Sequence, residues 1–169
     1  MGIKIFRIEG EPIRPFLASA SPEDDDSQNS TFGATPQRRE GQPVVLLVED
    51  NHINQVVAME FLALMGVRAR LANDGLEALQ ACGQEVPDLV LMDIQMPGMD
   101  GLECARRLRA MQAAGELPRF PILALTAHAL ESDVSASMAA GMDEHLTKPL
   151  DFASLRRHLG RWLNLPEQN

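Results

Sequence analysis

From Val44 onward the chain alternates short apolar runs with longer amphipathic stretches, and this alternation repeats five times. The runs have the length of strands, and the stretches between them carry apolar residues at helical spacing. Such alternation with short connections predicts a parallel sheet with helices on both faces. Five units suit an α/β, flavodoxin-like (βα)5 doubly wound sheet with strand order 2-1-3-4-5. The predicted strands are Val44–Val48, Val67–Leu71, Leu89–Met92, Ile122–Leu125 and His145–Leu146, and the predicted helices are Ile53–Met65, Leu76–Cys82, Leu102–Met111, Asp133–Ala140 and Phe152–Leu163.

The residues that flank and line these helices add detail. Gly66 and Gly141 follow two of the helices, where glycine commonly ends a helix. Asp74 and Asp151 precede two others, where a side-chain oxygen can accept the first backbone N–H groups. Trp162 is expected to anchor the core from the last helix. The first helix is expected to bury a wide face that contains Val56, Val57, Met59, Glu60, Phe61, Leu64 and Met65.

The first 43 residues differ in composition from the rest of the chain. Residues 19–43 are rich in Ser, Pro, Asp, Gln, Gly and Arg and include the acidic run Glu23–Asp26. A segment of this kind buries too little apolar surface to offset the entropy lost on ordering it. We therefore expect a flexible N-terminal tail or interdomain linker over residues 1–43, a folded domain over 44–165 and a short C-terminal tail over 166–169.

Charge and hydropathy exclude several classes of function. The net charge is −9 and the isoelectric point about 4.8, so binding to a nucleic-acid backbone is not expected. The sequence lacks the run of roughly 18 apolar residues that a membrane span needs. Cys82 and Cys104 match neither a disulfide framework nor a metal-binding pattern, as is usual in a reducing compartment. We expect a cytoplasmic domain that contacts neither nucleic acid nor membrane.

Charged and hydroxyl side chains follow four of the five predicted strands. Glu49 and Asp50 come after the first strand, Asp93 after the third, Thr126 after the fourth and Lys148 after the fifth. Because the carboxyl ends of parallel strands meet at one edge of the sheet, we expect these side chains to lie close together. Each alone could be a cap or turn residue. Four strand ends that each deliver a suitable group favour a functional site.

The chemistry of this set favours a magnesium-dependent phosphoryl acceptor. Three crowded carboxylates repel one another unless a cation joins them, and carboxylate oxygens are ligands that Mg²⁺ prefers. An ammonium group and a hydroxyl can neutralise the oxygens of an arriving phosphoryl group. Carboxylates are also established nucleophiles for phosphoryl groups. The sequence therefore predicts a site in which a phosphoryl group can be transferred to an Asp oxygen with the help of Mg²⁺, Thr126 and Lys148.

The segment Val44–Leu163 resembles the receiver domain of two-component response regulators along nearly its whole length. The matching pieces are VVLLVEDN, PDLVLMDIQMPGMDG, PILALTAHA and GMDEHLTKPL. The resemblance implies that Asp93 is phosphorylated by a phosphohistidine of a histidine kinase or of a histidine phosphotransfer domain. It further implies phosphorelay signalling, in which a receiver catalyses its own phosphorylation and dephosphorylation without being a stand-alone enzyme.

The same resemblance assigns roles to individual residues. Asp50 and Asp93 would bind Mg²⁺ directly, Glu49 would act through water, and Gln95 would contribute its backbone carbonyl. Thr126 and Lys148 would contact the phosphoryl oxygens, and Thr126 would also move when the domain is activated.

His145 departs from the family pattern. Receivers usually carry an aromatic residue two positions before the Thr or Ser that precedes Lys-Pro, and that residue turns inward on activation. This chain has His145 there, in EHLTKP. Either a half-buried histidine fills the space, or His145 still switches and makes the switch sensitive to pH.

Three rivals explain the sequence less well. A flavodoxin would need a Ser/Thr/Gly-rich phosphate loop where this chain has Glu49-Asp50-Asn51. An aspartyl-phosphate phosphatase usually carries Asp-x-Asp, and Asp93-Ile94-Gln95 lacks the second Asp. A degenerate receiver that acts only by binding would have lost one of the acidic pair, the Asp or the Lys.

Two origins of the domain stay open. The segment EDNHINQ, with Asn51 and Asn54, resembles receivers attached to hybrid sensor histidine kinases. A DNA-binding regulator is not expected, since the sequence ends at Asn169, shortly after the last predicted helix. The chain is then either the receiver of a hybrid sensor histidine kinase or a stand-alone response regulator that acts through protein–protein contacts.

Overall fold

The computed structural model of the protein describes residues 41–128 and 130–166. Residues 1–40 and 167–169 lie outside the described residues. The tails predicted over 1–43 and 166–169 fall almost wholly in those segments, so the proposed domain boundaries stay predictions.

The described part of the chain forms five strands and five helices in strict alternation. All strand pairs are parallel, and the order across the sheet is β2-β1-β3-β4-β5. The predicted flavodoxin-like fold with order 2-1-3-4-5 is confirmed. The elements are β1 (Val44–Val48), α1 (His52–Leu64), β2 (Arg68–Ala72), α2 (Gly75–Gln84), β3 (Leu89–Asp93), α3 (Gly101–Ala113), β4 (Ile122–Thr126), α4 (Glu131–Ala139), β5 (Glu144–Thr147) and α5 (Phe152–Gly160).

The three central strands are buried along their whole length, because helices cover both faces of the sheet. On one face, alternate strand residues pack against α1 and α5. On the other face, the intervening residues pack against α2 and α3. The edge strands β2 and β5 are more polar and less buried. Both faces of the sheet are therefore covered, and the residues that follow each strand lie at its carboxyl edge.

The helix ends follow the sequence prediction. Asp74 and Asp151 cap α2 and α5, each accepting a hydrogen bond from the backbone N–H three residues later. Gly66 and Gly141 adopt positive φ angles of 81° and 97° just after α1 and α4. These four residues thus fix where helices begin and end.

The buried face of α1 differs from the predicted one. Its buried residues are Gln55, Ala58 and Leu62, whereas Val56 and Leu64 are each 55% exposed. The apolar residues of α1 extend around most of the helix, so the pattern alone could not define the side that the sheet covers.

Trp162 is not a core anchor, contrary to expectation. Its side chain is 41% exposed, and its ring N–H donates to a carboxylate oxygen of Glu144. Cys82 and Cys104 are free and buried, and burial raises the pKa of each thiol to about 12. They pack as small apolar residues in the core. Within the described ranges, the helices are too short or too polar to cross a membrane.

Candidate active site

The predicted site residues meet at the carboxyl edge of the sheet. Carboxylate oxygens of Glu49, Asp50 and Asp93 all lie within 4.8 Å of one another. Glu49 and Asp93 are buried, while Asp50 is exposed. Lys148 reaches into the same space from the segment after β5. The structure thus brings together four of the predicted groups from three different strand ends.

Backbone contacts hold the two acidic segments in place. The N–H of Glu49 donates to Ala72 at the end of β2, which continues the sheet to the point where Asp50 emerges. Behind Asp93, Gly101 begins α3 so close to the strand that a Cβ would lie 2.2 Å from the Asp93 carbonyl oxygen. Glycine is therefore required at Gly101 for α3 to pack against the end of β3.

Lys148 is the counterion of the buried carboxylates. Its Nζ lies 3.1 Å from Oε1 of Glu49 and 3.3 Å from Oδ2 of Asp93. The remaining carboxylate oxygens accept backbone N–H groups two residues further along, from Asn51 to Glu49 and from Gln95 to Asp93. One ammonium group therefore faces two buried acids, and the charge of the site is incompletely balanced.

The pKa of Asp93 is raised from its ordinary 3.8 to about 6. Burial is the main cause, and the charge of Glu49 adds to it. The N–H of Gln95 and the ammonium of Lys148 act in the opposite direction. Asp93 thus carries a charge that its surroundings do not fully stabilise, which is the state that a bound cation would relieve.

Thr126 lies at the end of β4, 2% exposed, with its hydroxyl engaged locally. Its Oγ1 donates to the carbonyl of His128 at 2.7 Å and accepts the N–H of His128 at 3.1 Å. Both bonds belong to the loop that follows β4. The hydroxyl must exchange its bond to the His128 carbonyl before it can donate to a phosphoryl oxygen.

The donor set fits a magnesium ion. The candidate ligands are hard carboxylate oxygens, two buried and one exposed to water, as suits an ion that keeps part of its hydration shell. The raised pKa of Asp93 gives an independent reason, since a divalent cation would offset the repulsion within the set. Gln95, expected to contribute a backbone carbonyl, is exposed next to Asp93, and this role stays a prediction.

His145 lies on the edge strand β5, half-buried and paired in register with Ala124. It is three residues from Lys148 and belongs to the strand that leads to the site. The structure brings it to the expected strand, and its role as a switch stays a prediction.

Sequence reasoning missed two amides beside the acidic pair. The Nε2 atom of Gln55 donates to the backbone carbonyl of Glu49 at 2.7 Å and to Oδ1 of Asn73 at 2.8 Å. Asn73 follows β2, the strand that delivers no charged site residue. The sequence offered no usable signal for Gln55, because apolar residues surround most of α1 and do not define the side that the sheet covers.

A cavity of about 210 Å³ opens beside the site, between α1 and the segment after β5. Its apolar wall includes Ile53 and Val57 from α1, and its polar end includes Glu49 and Lys148. Ile53 is 72% exposed. The approach to the carboxylates is therefore bordered by apolar surface on the α1 side.

Comparisons with known sequences agree on one family. The model of the response regulator receiver domain matches residues 45–160. The sensor protein GacS of Pseudomonas syringae pv. syringae is 39% identical over 127 residues, which are 75% of this chain and 14% of that protein. Hybrid signal transduction histidine kinase G of Dictyostelium discoideum is 39% identical over 120 residues, 70% of this chain and 3% of that protein. The chain thus spans a small part of the length of these relatives.

Solved structures are similar over the same region. The receiver domain of the sensor histidine kinase PA1611 from Pseudomonas aeruginosa PAO1, crystallised with a magnesium ion in its active-site cleft, is 39% identical with a TM-score of 0.66. That match covers 73% of this chain and 98% of the other. A Saccharomyces cerevisiae structure of the phosphotransfer protein Ypd1 with the receiver of Ssk1 gives 29% identity, a TM-score of 0.69 and coverage of 73% and 90%.

Proposed function

Because the chain belongs to the response regulator receiver domain family, we propose that Asp93 is its phosphoacceptor and that a phosphohistidine of a partner protein is the donor. Receivers of this family are the phosphoacceptors of phosphorelays, and this chain is related to the receivers of hybrid histidine kinases. One observation carries the proposal for Asp93. It is the buried carboxylate at the end of β3, the strand that lies between β1, which leads to the acidic pair, and β4, which ends at Thr126, and it is 3.3 Å from Nζ of Lys148.

The reaction is a direct phosphoryl transfer. A carboxylate oxygen of Asp93 attacks the phosphorus atom, and a new O–P bond forms as the P–N bond to the imidazole breaks. The electron pair of that bond stays on the imidazole nitrogen, which leaves as neutral histidine after proton uptake. Lys148 neutralises charge on the phosphoryl oxygens, and its position between two acids keeps it in place for this role.

The acidic residues would hold the magnesium ion that the reaction requires. When bound, Mg²⁺ offsets negative charge on the carboxylates and on the transferred group. We assign Asp50 and Asp93 as direct ligands, Glu49 as a ligand through water, and the carbonyl of Gln95 as the remaining protein donor. Asp50, exposed beside two buried acids, gives the ion a route from solvent.

Thr126 and His145 would transmit phosphorylation to the surface of the domain. The Thr126 hydroxyl leaves the His128 carbonyl and donates to the phosphoryl group, which shifts the loop after β4. His145 then changes position on β5, the edge strand. A His145→Ala variant with unchanged phosphorylation-induced shifts on β5, measured by NMR, would remove His145 from the switch.

The phosphoacceptor is tested with a small donor. The protein is incubated with acetyl phosphate, with and without Mg²⁺, and its intact mass is measured. We expect one alkali-labile phosphoryl adduct that requires Mg²⁺ and is absent from Asp93→Asn. Glu60→Gln, which removes an exposed carboxylate of α1, is the matched control and should be phosphorylated normally. An equal adduct on Asp93→Asn would overturn the assignment.

The surface beside the site supports a protein donor. Ile53 and Val56 are 72% and 55% exposed at the start of α1, where apolar side chains border the cavity that leads to Lys148. Exposed apolar patches of this kind commonly mark protein–protein contacts. We propose that a histidine phosphotransfer domain or histidine kinase docks across this end of α1.

An effect on docking is distinguished from an effect on phosphoryl transfer by comparing a protein phosphodonor with acetyl phosphate. Ile53→Asp should slow transfer from phosphorylated histidine phosphotransfer proteins, with yeast Ypd1 among those tested, at least about tenfold more than it slows reaction with acetyl phosphate. Leu76→Asp is the control, since Leu76 is 59% exposed in the first turn of α2, on the opposite face of the sheet. Equal effects of the two variants on protein donors would contradict docking at α1.

We also propose that the domain is the receiver segment of a hybrid sensor histidine kinase in the cytoplasm. The matched relatives are sensor kinases, and the chain covers 14% and 3% of the two described. Sequencing the genomic region that encodes the chain tests this. A kinase core in the same reading frame is expected, and a gene limited to the receiver would favour the stand-alone regulator.

A further inference from the structure

Gln55 is the polar residue on the core-facing side of α1. It is 6% exposed and lies on the same face as Ala58 and Leu62, which pack against the sheet. Burying an amide costs free energy unless its donors and acceptors find partners. We therefore expect the hydrogen bonds of Gln55, and not only its packing in the core, to matter for the domain.

Both donated bonds of Gln55 lead to the edge of the sheet that carries the site. One amide hydrogen goes to the carbonyl of Glu49 and the other to Oδ1 of Asn73. The Glu49 carbonyl accepts hydrogen bonds and cannot donate one, so the Gln55 nitrogen must face it. The amide orientation follows from its partners.

Asn73 extends the network to α2. Its side-chain nitrogen and its backbone N–H both donate to Oε1 of Glu77, at 3.0 and 2.8 Å. Because the nitrogen of Asn73 faces a carboxylate, its oxygen is left to accept from Gln55. A chain of hydrogen bonds therefore runs from the first turn of α2 through two amides to the backbone of Glu49.

We propose that Gln55 is a positioning residue that fixes the turn carrying Glu49 and Asp50 for Mg²⁺ binding. The Glu49 carbonyl belongs to the peptide group that links Glu49 to Asp50, so its bond to Gln55 fixes the orientation of that peptide and restricts the direction of both acidic side chains. This inference rests on the proposed role of the acidic pair in holding Mg²⁺. It adds that the affinity for the ion depends on a residue that does not contact it.

The test compares Gln55→Met with Leu62→Ala. Methionine keeps the volume of glutamine and removes its donors, while Leu62→Ala weakens the same face of α1 without a bond to the acidic turn. Mg²⁺ affinity is measured by isothermal titration calorimetry, and stability by urea unfolding. We expect Gln55→Met to weaken Mg²⁺ binding about 10-fold or more, as loss of a supporting hydrogen bond does at other metal sites. Leu62→Ala should lower stability and leave the affinity unchanged.

Asn73→Ala provides a second variant in case Gln55→Met does not fold. It frees one of the two Gln55 hydrogens and leaves the bond to Glu49 in place, so we expect a smaller, few-fold loss of Mg²⁺ affinity. At saturating Mg²⁺, both variants should regain most of the wild-type rate of phosphorylation by acetyl phosphate.

Three outcomes separate the inference from the proposed function. Wild-type protein that binds no Mg²⁺ would overturn the proposed function. Wild-type binding with unchanged affinity in Gln55→Met, or in Asn73→Ala if the first does not fold, would overturn the role of Gln55 alone. In a third outcome, the loss of Mg²⁺ affinity is proportional to the loss of stability in all variants, Leu62→Ala included. Gln55 would then contribute only to core packing, and its positioning role would also be overturned.

Discussion

At the scale of single residues, Asp93 combines a chemical role with a cost to the folded domain. Its carboxylate is buried, and its pKa is raised to about 6. The folded protein therefore binds a proton at Asp93 more tightly than the unfolded chain does. By linkage, the stability contribution of Asp93 decreases as pH rises through the interval between the two pKa values.

Replacing Asp93 by Asn is expected to stabilise the metal-free domain, and more so at high pH. Below about pH 4 both states carry the proton and the ionisation contributes nothing. Between pH 3.8 and about 6 the unfolded chain ionises first, so the wild type loses stability. The shift corresponds to at most about 3 kcal/mol. Because the site opens to water, we expect a gain of about 1 to 2 kcal/mol above pH 7.

Urea unfolding in EDTA at pH 4.5 and at pH 7.5 measures this difference. Glu60→Gln controls for the loss of one carboxylate from an exposed position. If the stability difference between Asp93→Asn and wild type is the same at both pH values, ionisation of Asp93 does not destabilise the folded domain.

Two glycines at helix ends provide a matched pair of variants. A Cβ on Gly101 would lie 2.2 Å from the Asp93 carbonyl oxygen and 2.7 Å from Cα of Ile94, both backbone atoms that cannot move cheaply. A Cβ on Gly83, near the end of α2, would meet no atom within 4 Å. We expect Gly101→Ala to cost about 1 to 3 kcal/mol and to slow phosphorylation of Asp93.

Gly83→Ala should instead raise the free energy of unfolding by up to about 1 kcal/mol, because alanine is the better helix former. Urea unfolding and the acetyl phosphate assay, run on both variants, check the pair. Normal stability and phosphorylation in Gly101→Ala would mean that α3 can move away from β3 without disturbing the site.

At the scale of elements, one carboxylate connects the edge strand β5 to the end of α5. Glu144 accepts bonds from Nδ1 of His158 at 2.7 Å, from the guanidinium of Arg161 at 3.2 Å and from the ring nitrogen of Trp162 at 2.8 Å. Burial alone would raise the pKa of Glu144, but these donors lower it below its ordinary value. The network thus stabilises the ionised form of Glu144.

Glu144→Gln is expected to destabilise the domain by about 1 to 2 kcal/mol at neutral pH. The carboxylate of Glu144 accepts hydrogen bonds with both oxygens, whereas the side-chain nitrogen of Gln can only donate. In the variant this nitrogen would therefore face one of the donors from His158, Arg161 or Trp162. Because the pKa is lowered in the folded state, the contribution of Glu144 is complete above the unfolded-state pKa near 4.5. It is lost as pH falls through the folded-state value.

Fluorescence of Trp162, the single tryptophan of the chain, follows the unfolding. Glu131→Gln, on the exposed start of α4, is the control. Wild type and Glu144→Gln should converge in stability once the pH is below the lowered pKa of Glu144 in the folded state, where both carry a neutral side chain. A difference that persists undiminished at low pH would assign the effect to packing.

Elements differ in how far the sequence determines them. The carboxyl-edge residues could be predicted because parallel topology alone brings strand ends together, whatever the detailed packing. The buried face of α1 could not, since apolar residues surround most of the helix and the neighbouring strands decide which of them are covered. Trp162 is expected in the core from its residue type, and no pattern in the sequence pairs either Trp162 or His158 with Glu144. Both nevertheless bind Glu144, a contact made by a distant strand.

The support of the site was the least predictable part for the same reason. The bond from Gln55 to the Glu49 carbonyl depends on the orientation of α1 against β1, and its second bond depends on a loop from another strand. Neither partner is marked by spacing in the sequence. Residue types at strand ends therefore predicted which charged groups meet at the site, while the groups that hold them in place could be identified only from the packed structure.

At the scale of the whole molecule, acidity couples ion binding to folding. The chain from Val44 to its end carries a net charge of −7, and three of its carboxylates converge at one edge of the sheet. Unfolding separates them, so the unfolded chain lacks the site. We expect Mg²⁺ to raise the free energy of unfolding by about 2.7 kcal/mol when its concentration is 100 times its dissociation constant.

Removing Mg²⁺ should reverse this increase in the free energy of unfolding. The size of the increase should depend on the residues of the site. Urea unfolding in Mg²⁺ and in EDTA gives the increment, and Asp50→Asn should abolish most of it by removing an exposed ligand of the set. Glu60→Gln, which changes the net charge equally, should keep it. An increment of similar size in Asp50→Asn would show that Mg²⁺ screens the acidic surface in general. Repeating the measurement at high KCl concentration distinguishes general screening from binding at a specific site. KCl screens the acidic surface by itself, so a general effect of Mg²⁺ on the free energy of unfolding would disappear. A specific site would still respond to Mg²⁺.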